Sequence, residues 1–431
     1  MLENNNSQYL RHITELGNKH PISASEDIHN SQGVKLVKAG SRIDSSFYDK
    51  LLKHKLLKPI DQSLIIENCI TLEALESKMV QQITENPLLY SMKNDILSDD
   101  VFHAVISNLN IPDILLFKLT ISEKQLPDIF KQSLHVSIAS IYFGLKLKLD
   151  IEKLKVVAIA GLFHDIGLLH LEADLFNTFT PLDEDKRKHI YSHPIIAHLI
   201  LKEFQNYQEA SLAVLEHHER MDGSGYPKNL SAEQISLSGQ ILIVAALAIS
   251  LTQQKSDFSY KNRLQAILKF NSNQYPHKIV EILLNLLKNL QDDNKPSAKP
   301  QDKDAFLDTL SSIWTVINAW EPNHNKTLQV PHKISNYISQ RIEELTHALN
   351  MSGLTLDYLS LPSLELEEIL KDSEELLALL NEATYQIKNI SHEITRRWPE
   401  ITIDNDIETS ITQWLNSLQT FLTESDSDHE E

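Results

Sequence analysis

Histidines recur at near-regular intervals through the middle of this chain, and that spacing constrains its fold more than any other feature. His135, His164, His193 and His217 lie 29, 29 and 24 residues apart (164 − 135, 193 − 164, 217 − 193). Each interval accommodates one helix, a turn and part of the next helix. Antiparallel helices of that length bring all of these side chains to one level of a bundle. The density peaks between Leu162 and Pro227, which hold His164-Asp165, His193-Pro194, His217-His218-Glu219 and Asp222-Gly223-Ser224-Gly225-Tyr226-Pro227. Hydrophobic periodicity between residues 131 and 290 is helical with short breaks, and strand alternation is nearly absent there.

Composition narrows the function classes. Forty Lys and Arg against 59 Asp and Glu give a formal charge of −19 in 431 residues. A field of that sign repels nucleic-acid phosphates, so nonspecific nucleic-acid binding is excluded. An anionic substrate then needs metal ions or a local basic patch to receive it. Cys69 is the one cysteine, so there is no intrachain disulfide, which fits a reducing cytoplasm. Met1 to His20 contains no apolar run of the signal-peptide kind. The longest apolar segment, Ile241 to Leu251, falls far short of the roughly 20 residues a membrane-spanning helix needs. A cytoplasmic protein with no direct membrane span is expected.

Around the histidine-rich centre the organisation reads as follows. Residues 1–20 are polar and give only a weak start. A first module, 1–95, carries a β-hairpin signal at Gly33, the alternating Val34 to Lys38, and Gly40, then a helix over Ser41 to Leu57. The helical domain with the histidines spans 97–290. Residues 291–304, with two prolines and alternating charge, read as a linker. Helical periodicity resumes over 305–423 and suits a bundle, which suggests a homodimer. The acidic stretch 424–431 reads as disordered. The fold class is mainly α.

The histidines and carboxylates have the chemistry of a metal site. Neutral imidazoles suit zinc, iron, manganese and related ions, and a carboxylate can bridge two of them at the separation used in two-metal hydrolysis. The candidate ligands are His135, His164, Asp165, His193, His217 and His218. Taken singly, His135 would be an ordinary half-buried helix histidine, and His193-Pro194 a helix start with proline in the first turn. The combination carries the inference. The glycine-rich Asp222 to Pro227 adds a tight loop beside the candidate ligands.

With FHDIG at 163–167, HP at 193–194 and HHERMDGSGYP at 217–227, the chain resembles the HD-GYP family, a branch of the HD phosphohydrolases. The resemblance covers roughly 97–290. It implies a helical HD-type domain holding divalent metal ions, two here, with iron or manganese the usual occupants. It implies hydrolysis of the cyclic dinucleotide cyclic di-GMP to the linear dinucleotide or to GMP. By that resemblance His135, His164 and Asp165 hold the first metal, with Asp165 bridging and His164 and Asp165 catalytic, while His193, His217 and His218 hold the rest. Asp222, Gly223, Gly225, Tyr226 and Pro227 lie at the substrate mouth, where the loop also docks signalling proteins.

Several positions depart from the family pattern. Leu168 stands where a lysine would contact phosphate. Ala246 stands where an aspartate would close the ligand set. Lys131 stands one helical turn before His135, where members with three metals carry glutamate. Three readings stay open: a metal-dependent phosphodiesterase with a weakened site, an inactive HD-GYP domain that senses the nucleotide or docks a partner, and a scaffold whose working part is the C-terminal region.

Overall fold

The computed structural model describes residues 2–172, 184–253, 259–290, 303–327, 333–371 and 374–398, together with Ile411, Trp414, Leu415 and Leu418. Most of the expected linker 291–304 and all of the acidic stretch 424–431 lie outside these; Lys303 and Asp304 begin a helix. Two compact units form. One comprises Met1–Gln253 and Asn273–Leu290, the other Gln254–Ser272 and Gln291–Glu431.

The first unit opens with α1 (Leu2–Lys19). Its sequence is polar overall, yet Tyr9, Ile13 and Leu16 fall at helical spacing and are buried, which is enough to dock it. Four short strands follow: β1 (Ile22–Ala24), β2 (Ile28–His29), β3 (Lys35–Val37) and β4 (Leu64–Ile66). Antiparallel pairing joins β2 to β3, with Ile28 opposite Val37, and β1 to β4, with Ile22 opposite Ile66. The helix expected over Ser41 to Leu57 shrinks to a 3-10 turn at Ser45–Phe47 and α2 (Tyr48–Leu52). Only Ile43 and Leu51 of its apolar stripe are buried, while Leu52 is exposed. The basic run from Lys53 to Lys55 offers the next turn nothing to bury.

The helical part of the first unit is built from α3 (Leu72–Glu85), α4 (Pro87–Asp95), α5 (Asp99–Ile106), α6 (Asp113–Gln125), α7 (Pro127–Lys146) and α8 (Ile151–Phe163). It continues with α9 (Glu184–Ile190), α10 (His193–Leu201), α11 (Gln208–Glu216) and α12 (Leu237–Gln253). Helix α7 packs against α8 and α12, and α11 packs against α8, α10 and α12. Apolar residues on all sides of α7 and α8 explain why these two sit at the centre. Asp150 caps α8 by accepting from the Lys153 N–H at 2.9 Å.

Module and domain are continuous within this unit. The Lys118 ammonium of α6 lies 2.5 Å from the Asp61 carboxylate, and both side chains are buried. Tyr9 donates its hydroxyl to the same carboxylate at 3.2 Å. The Lys118 ammonium sits 4.0 Å from the centroid of the Tyr9 ring, whose other neighbour is the stacked ring of His170 at 4.7 Å.

The second unit is helical: α13 (Tyr260–Phe270), then, beyond α14 (His277–Lys288) of the first unit, α15 (Lys303–Thr327), α16 (Lys333–Ser352), α17 (Ser363–Lys371) and α18 (Glu374–Arg397). Its core gathers Phe306, Trp314, Trp320, Ile338, Leu349, Leu380 and Ile387 with Trp414. The buried indole N–H groups are satisfied: Trp314 donates to the Leu354 carbonyl, Trp320 to the Ser339 hydroxyl and Trp414 to the Val316 carbonyl. A polar triangle of Asn271, Glu382 and Gln386 is buried in the same unit. No described helix is long and apolar enough to cross a membrane.

Candidate metal centre

Helix ends build the site. His164 and Asp165 follow the last residue of α8, His193 is the first residue of α10, and His217 and His218 follow the end of α11. Gly167, in the 3-10 turn Ile166–His170, permits that convergence: a Cβ there would lie 2.2 Å from the His193 carbonyl oxygen. Asp165, His193, His217 and His218 each present a ligand atom, and these atoms all lie within 4.8 Å of one another.

Backbone carbonyls set the tautomer of three of these imidazoles. His164 donates Nδ1–H to the Gly161 carbonyl at 2.9 Å, His193 to Ile190 at 2.6 Å, and His217 to Val214 at 2.6 Å. A carbonyl only accepts, so the proton is fixed on Nδ1 and Nε2 is left facing inward. The Nε2 atoms of His193 and His217 then meet at 3.3 Å. Asp165 Oδ1 lies 3.2 Å from His193 Nε2 and 3.7 Å from His217 Nε2. Lone pairs crowded this closely in a buried site repel unless a cation lies among them. Three imidazoles and a carboxylate are the donor set that iron, manganese or zinc accepts. The residues therefore fit a divalent ion.

Electrostatics follow the same geometry. Burial opposes ionisation of Asp165, but His164 and His193 outweigh it and hold the carboxyl well below its usual range. Burial likewise works against a charged His164, yet the Asp165 carboxylate at 3.1 Å from its Nε2 raises its pKa. Burial, then neighbouring histidines, push His217 and His218 well below the usual imidazole range, which keeps them neutral.

His135 is placed differently. Its Nε2 lies 2.9 Å from Gln82 Oε1 and its Nδ1 lies 3.3 Å from Gln253 Nε2. Burial, with Lys131 adding to it, lowers its pKa to about 4, so it is neutral. It stands outside the group of four. Leu168 is buried in an apolar cluster with Leu171 and Ile196, against Ile129, Ile190 and Ile200. Ala246 is half-buried on α12 and Lys131 is exposed on α7.

The loop Asp222 to Pro227 closes one side. Tyr226 donates its backbone N–H to the His218 carbonyl at 3.1 Å and stacks its ring on that of His218 at 4.6 Å. The Asp222 carboxylate accepts from the Ser224 N–H and hydroxyl at 2.9 and 2.6 Å. Gly225 passes so near the preceding chain that a Cβ would fall 2.4 Å from the Arg220 nitrogen. Three residues that sequence reasoning did not assign hold these parts. Glu219, fully buried, accepts the Lys228 N–H at 2.7 Å and the Leu230 N–H at 2.9 Å. Glu216 accepts from the Ser236 N–H at 3.0 Å and anchors the start of α12. Tyr191 stacks on Tyr226 at 4.1 Å. Glu219 was visible inside HHERMDGSGYP but carried no chemistry of its own; Gln82, Gln253 and Tyr191 lie in no motif.

Comparisons with known proteins agree with this picture. The HD domain family model matches residues 118–279. The 3'3'-cGAMP-specific phosphodiesterase 1 of Vibrio cholerae is 26% identical over 171 residues, which are 40% of this chain and 40% of that protein. The cyclic di-GMP phosphodiesterase PdeB of Borreliella burgdorferi is 25% identical over 36% of this chain and 42% of its own length. The cyclic di-GMP phosphodiesterase response regulator RpfG of Xanthomonas campestris is 35% identical over 23% of this chain and 27% of its own length. The chain thus spans well under half the length of these relatives.

Proposed function

We propose, for a chain whose residues 118–279 match the HD domain family model, a metal-dependent phosphodiesterase acting on a cyclic dinucleotide, with cyclic di-GMP the first substrate to test. The convergence of inward-facing Nε2 atoms from His193 and His217 on the buried Asp165 carboxylate is the observation that supports it. Asp165, His193, His217 and His218 would hold a divalent ion such as iron or manganese, which would supply Lewis-acid polarisation of a phosphoryl oxygen and a water of lowered pKa for attack at phosphorus.

The protein's share is positioning. Carbonyl acceptors on Gly161, Ile190 and Val214 lock the imidazoles in one tautomer and one orientation. His164 Nε2 faces the second oxygen of Asp165 at 3.1 Å. The Glu219-anchored loop carries Tyr226 against His218, and its Asp222, Gly223, Gly225, Tyr226 and Pro227 are the residues assigned to the substrate mouth. Relatives of this HD type are named for cyclic di-GMP and for 3'3'-cGAMP, so the substrate class is the cyclic dinucleotide.

A second reading has its own observations. Leu168 is committed to an apolar cluster and Ala246 supplies no carboxylate, so phosphate binding and metal retention are both weaker than the family pattern implies. On this reading the domain binds the nucleotide, or a signalling partner through the loop, without turnover. Incubation of metal-loaded protein with cyclic di-GMP separates the two. Linear dinucleotide or GMP that disappears in Asp165→Asn supports the enzyme; nucleotide binding without product supports the sensor.

A further inference from the structure

We infer that this chain holds a single metal ion, among Asp165, His193, His217 and His218, and that His135 is a hydrogen-bonded strut between helices instead of a ligand. The inference rests on the metal reading above and sharpens it.

The argument begins with Gln82. Its side-chain N–H donates to a Glu85 carboxylate oxygen at 3.1 Å, and a carboxylate only accepts. That fixes the amide orientation, so the Gln82 oxygen faces His135 Nε2 at 2.9 Å. Nε2 must therefore carry the proton. His164, His193 and His217 carry theirs on Nδ1 and leave Nε2 bare. His135 is thus in the opposite tautomer, with the nitrogen a metal would need already used as a donor. Its other nitrogen accepts from the Gln253 amide at 3.3 Å. One imidazole so joins α3, α7 and α12, and no lone pair is left over.

The remaining atoms do not make a second site. On the far side of Asp165 the second carboxylate oxygen faces His164 Nε2 at 3.1 Å, which supplies one imidazole and one oxygen. A catalytic metal takes about three protein ligands at the least. Ala246 contributes none, and at the His135 ring the Lys131 ammonium acts more strongly than the Glu85 carboxylate that opposes it. Among the described residues, Asp165 with His193, His217 and His218 is the one group with metal-holding geometry.

The test is metal stoichiometry of the full chain, loaded with Mn(II), freed of excess and measured by elemental analysis and electron paramagnetic resonance. The expected result is one ion per chain, with the spectrum of an isolated ion. His135→Gln, which keeps a donor and an acceptor, and His135→Ala are both expected to retain that ion, while His217→Ala loses it. Two ions in the wild type, an exchange-coupled spectrum, or loss of metal in the folded His135→Gln variant would overturn the inference while leaving the hydrolase reading intact. No ion in the wild type would overturn both. Turnover enters none of these readouts.

Discussion

Replacing Glu219 with glutamine should unseat the loop beside His218 without touching any ligand. The carboxylate is fully buried and accepts two backbone N–H groups, from Lys228 at 2.7 Å and Leu230 at 2.9 Å. Glutamine keeps the shape but has one oxygen. Its amide N–H then points at a second N–H, and one of the two backbone donors is left buried and unmade. A hydrogen bond to a charged acceptor contributes roughly 1.5–3 kcal/mol, and the orphaned donor adds a desolvation cost of about 1–3 kcal/mol. A total near 3 kcal/mol corresponds to about a hundredfold change in any equilibrium that requires the loop in place, at about 1.4 kcal/mol per tenfold. Because Asp222 to Pro227 are held by these contacts while His217 and His218 follow α11, the loss should fall on nucleotide affinity and spare metal content. Isothermal titration with cyclic di-GMP, alongside elemental analysis, measures both. Unchanged affinity in a folded Glu219→Gln protein would refute the assignment of the loop to substrate, and a parallel loss of metal would refute the separation of loop from ligands.

Other perturbations probe the surrounding structure. Lys118→Met strands the buried Asp61 carboxylate, at a cost of about 3–5 kcal/mol. At roughly 2–4 °C per kcal/mol for a unit of this size, calorimetry should show a fall of several degrees to well over ten. Lys118→Met with Asp61→Leu should recover most of it, and no recovery would show that the ion pair is not the cause. Leu168→Lys places an ammonium among Leu171, Ile196 and Ile129 instead of restoring a phosphate contact, so thermal stability should drop by several degrees with no gain in nucleotide affinity. A stable variant that binds more tightly would show that this side chain faces the site. Burial raises the pKa of Glu382 despite Gln386, Asn271 and Arg263. Its contribution to stability is therefore complete below the ordinary carboxylate range and is lost as pH rises through the raised value. Glu382→Gln should unfold at a higher temperature than wild type at neutral pH and lose the gain in stability that Glu382 confers as pH falls toward the ordinary carboxylate range; a difference between the two proteins that does not change with pH would contradict this.

Much of the centre was legible because its signals are local. Helical periodicity over 131–290 covered the region of α7, α8 and α12, and the pairs His164-Asp165 and His217-His218 sit at helix ends within it. What was not legible depends on distant partners. His135 reads as a ligand by spacing alone, but its state is set by Gln82, 53 residues earlier, and Gln253, 118 residues later. Nothing in either glutamine's neighbourhood announces the contact. Leu168 could be seen to break the phosphate pattern, whereas its burial against Ile196 and Ile129 needed the packing of α10. Helix α1 was read as a weak start because its composition is polar; three buried side chains at helical spacing were enough to dock it. Helix α13 follows the histidine-rich region in sequence, yet it packs with α16 and α18 in the second unit, since Ala266 and Phe270 join that core.

Turnover of cyclic di-GMP by the purified, Mn(II)- or Fe(II)-loaded chain tests the central claim most directly, with the Asp165→Asn protein treated in parallel. The account predicts a linear dinucleotide or GMP product from the wild type and none from the variant. Metal-replete protein that leaves both cyclic di-GMP and 3'3'-cGAMP intact, under conditions where an HD-type relative cleaves them, would contradict it.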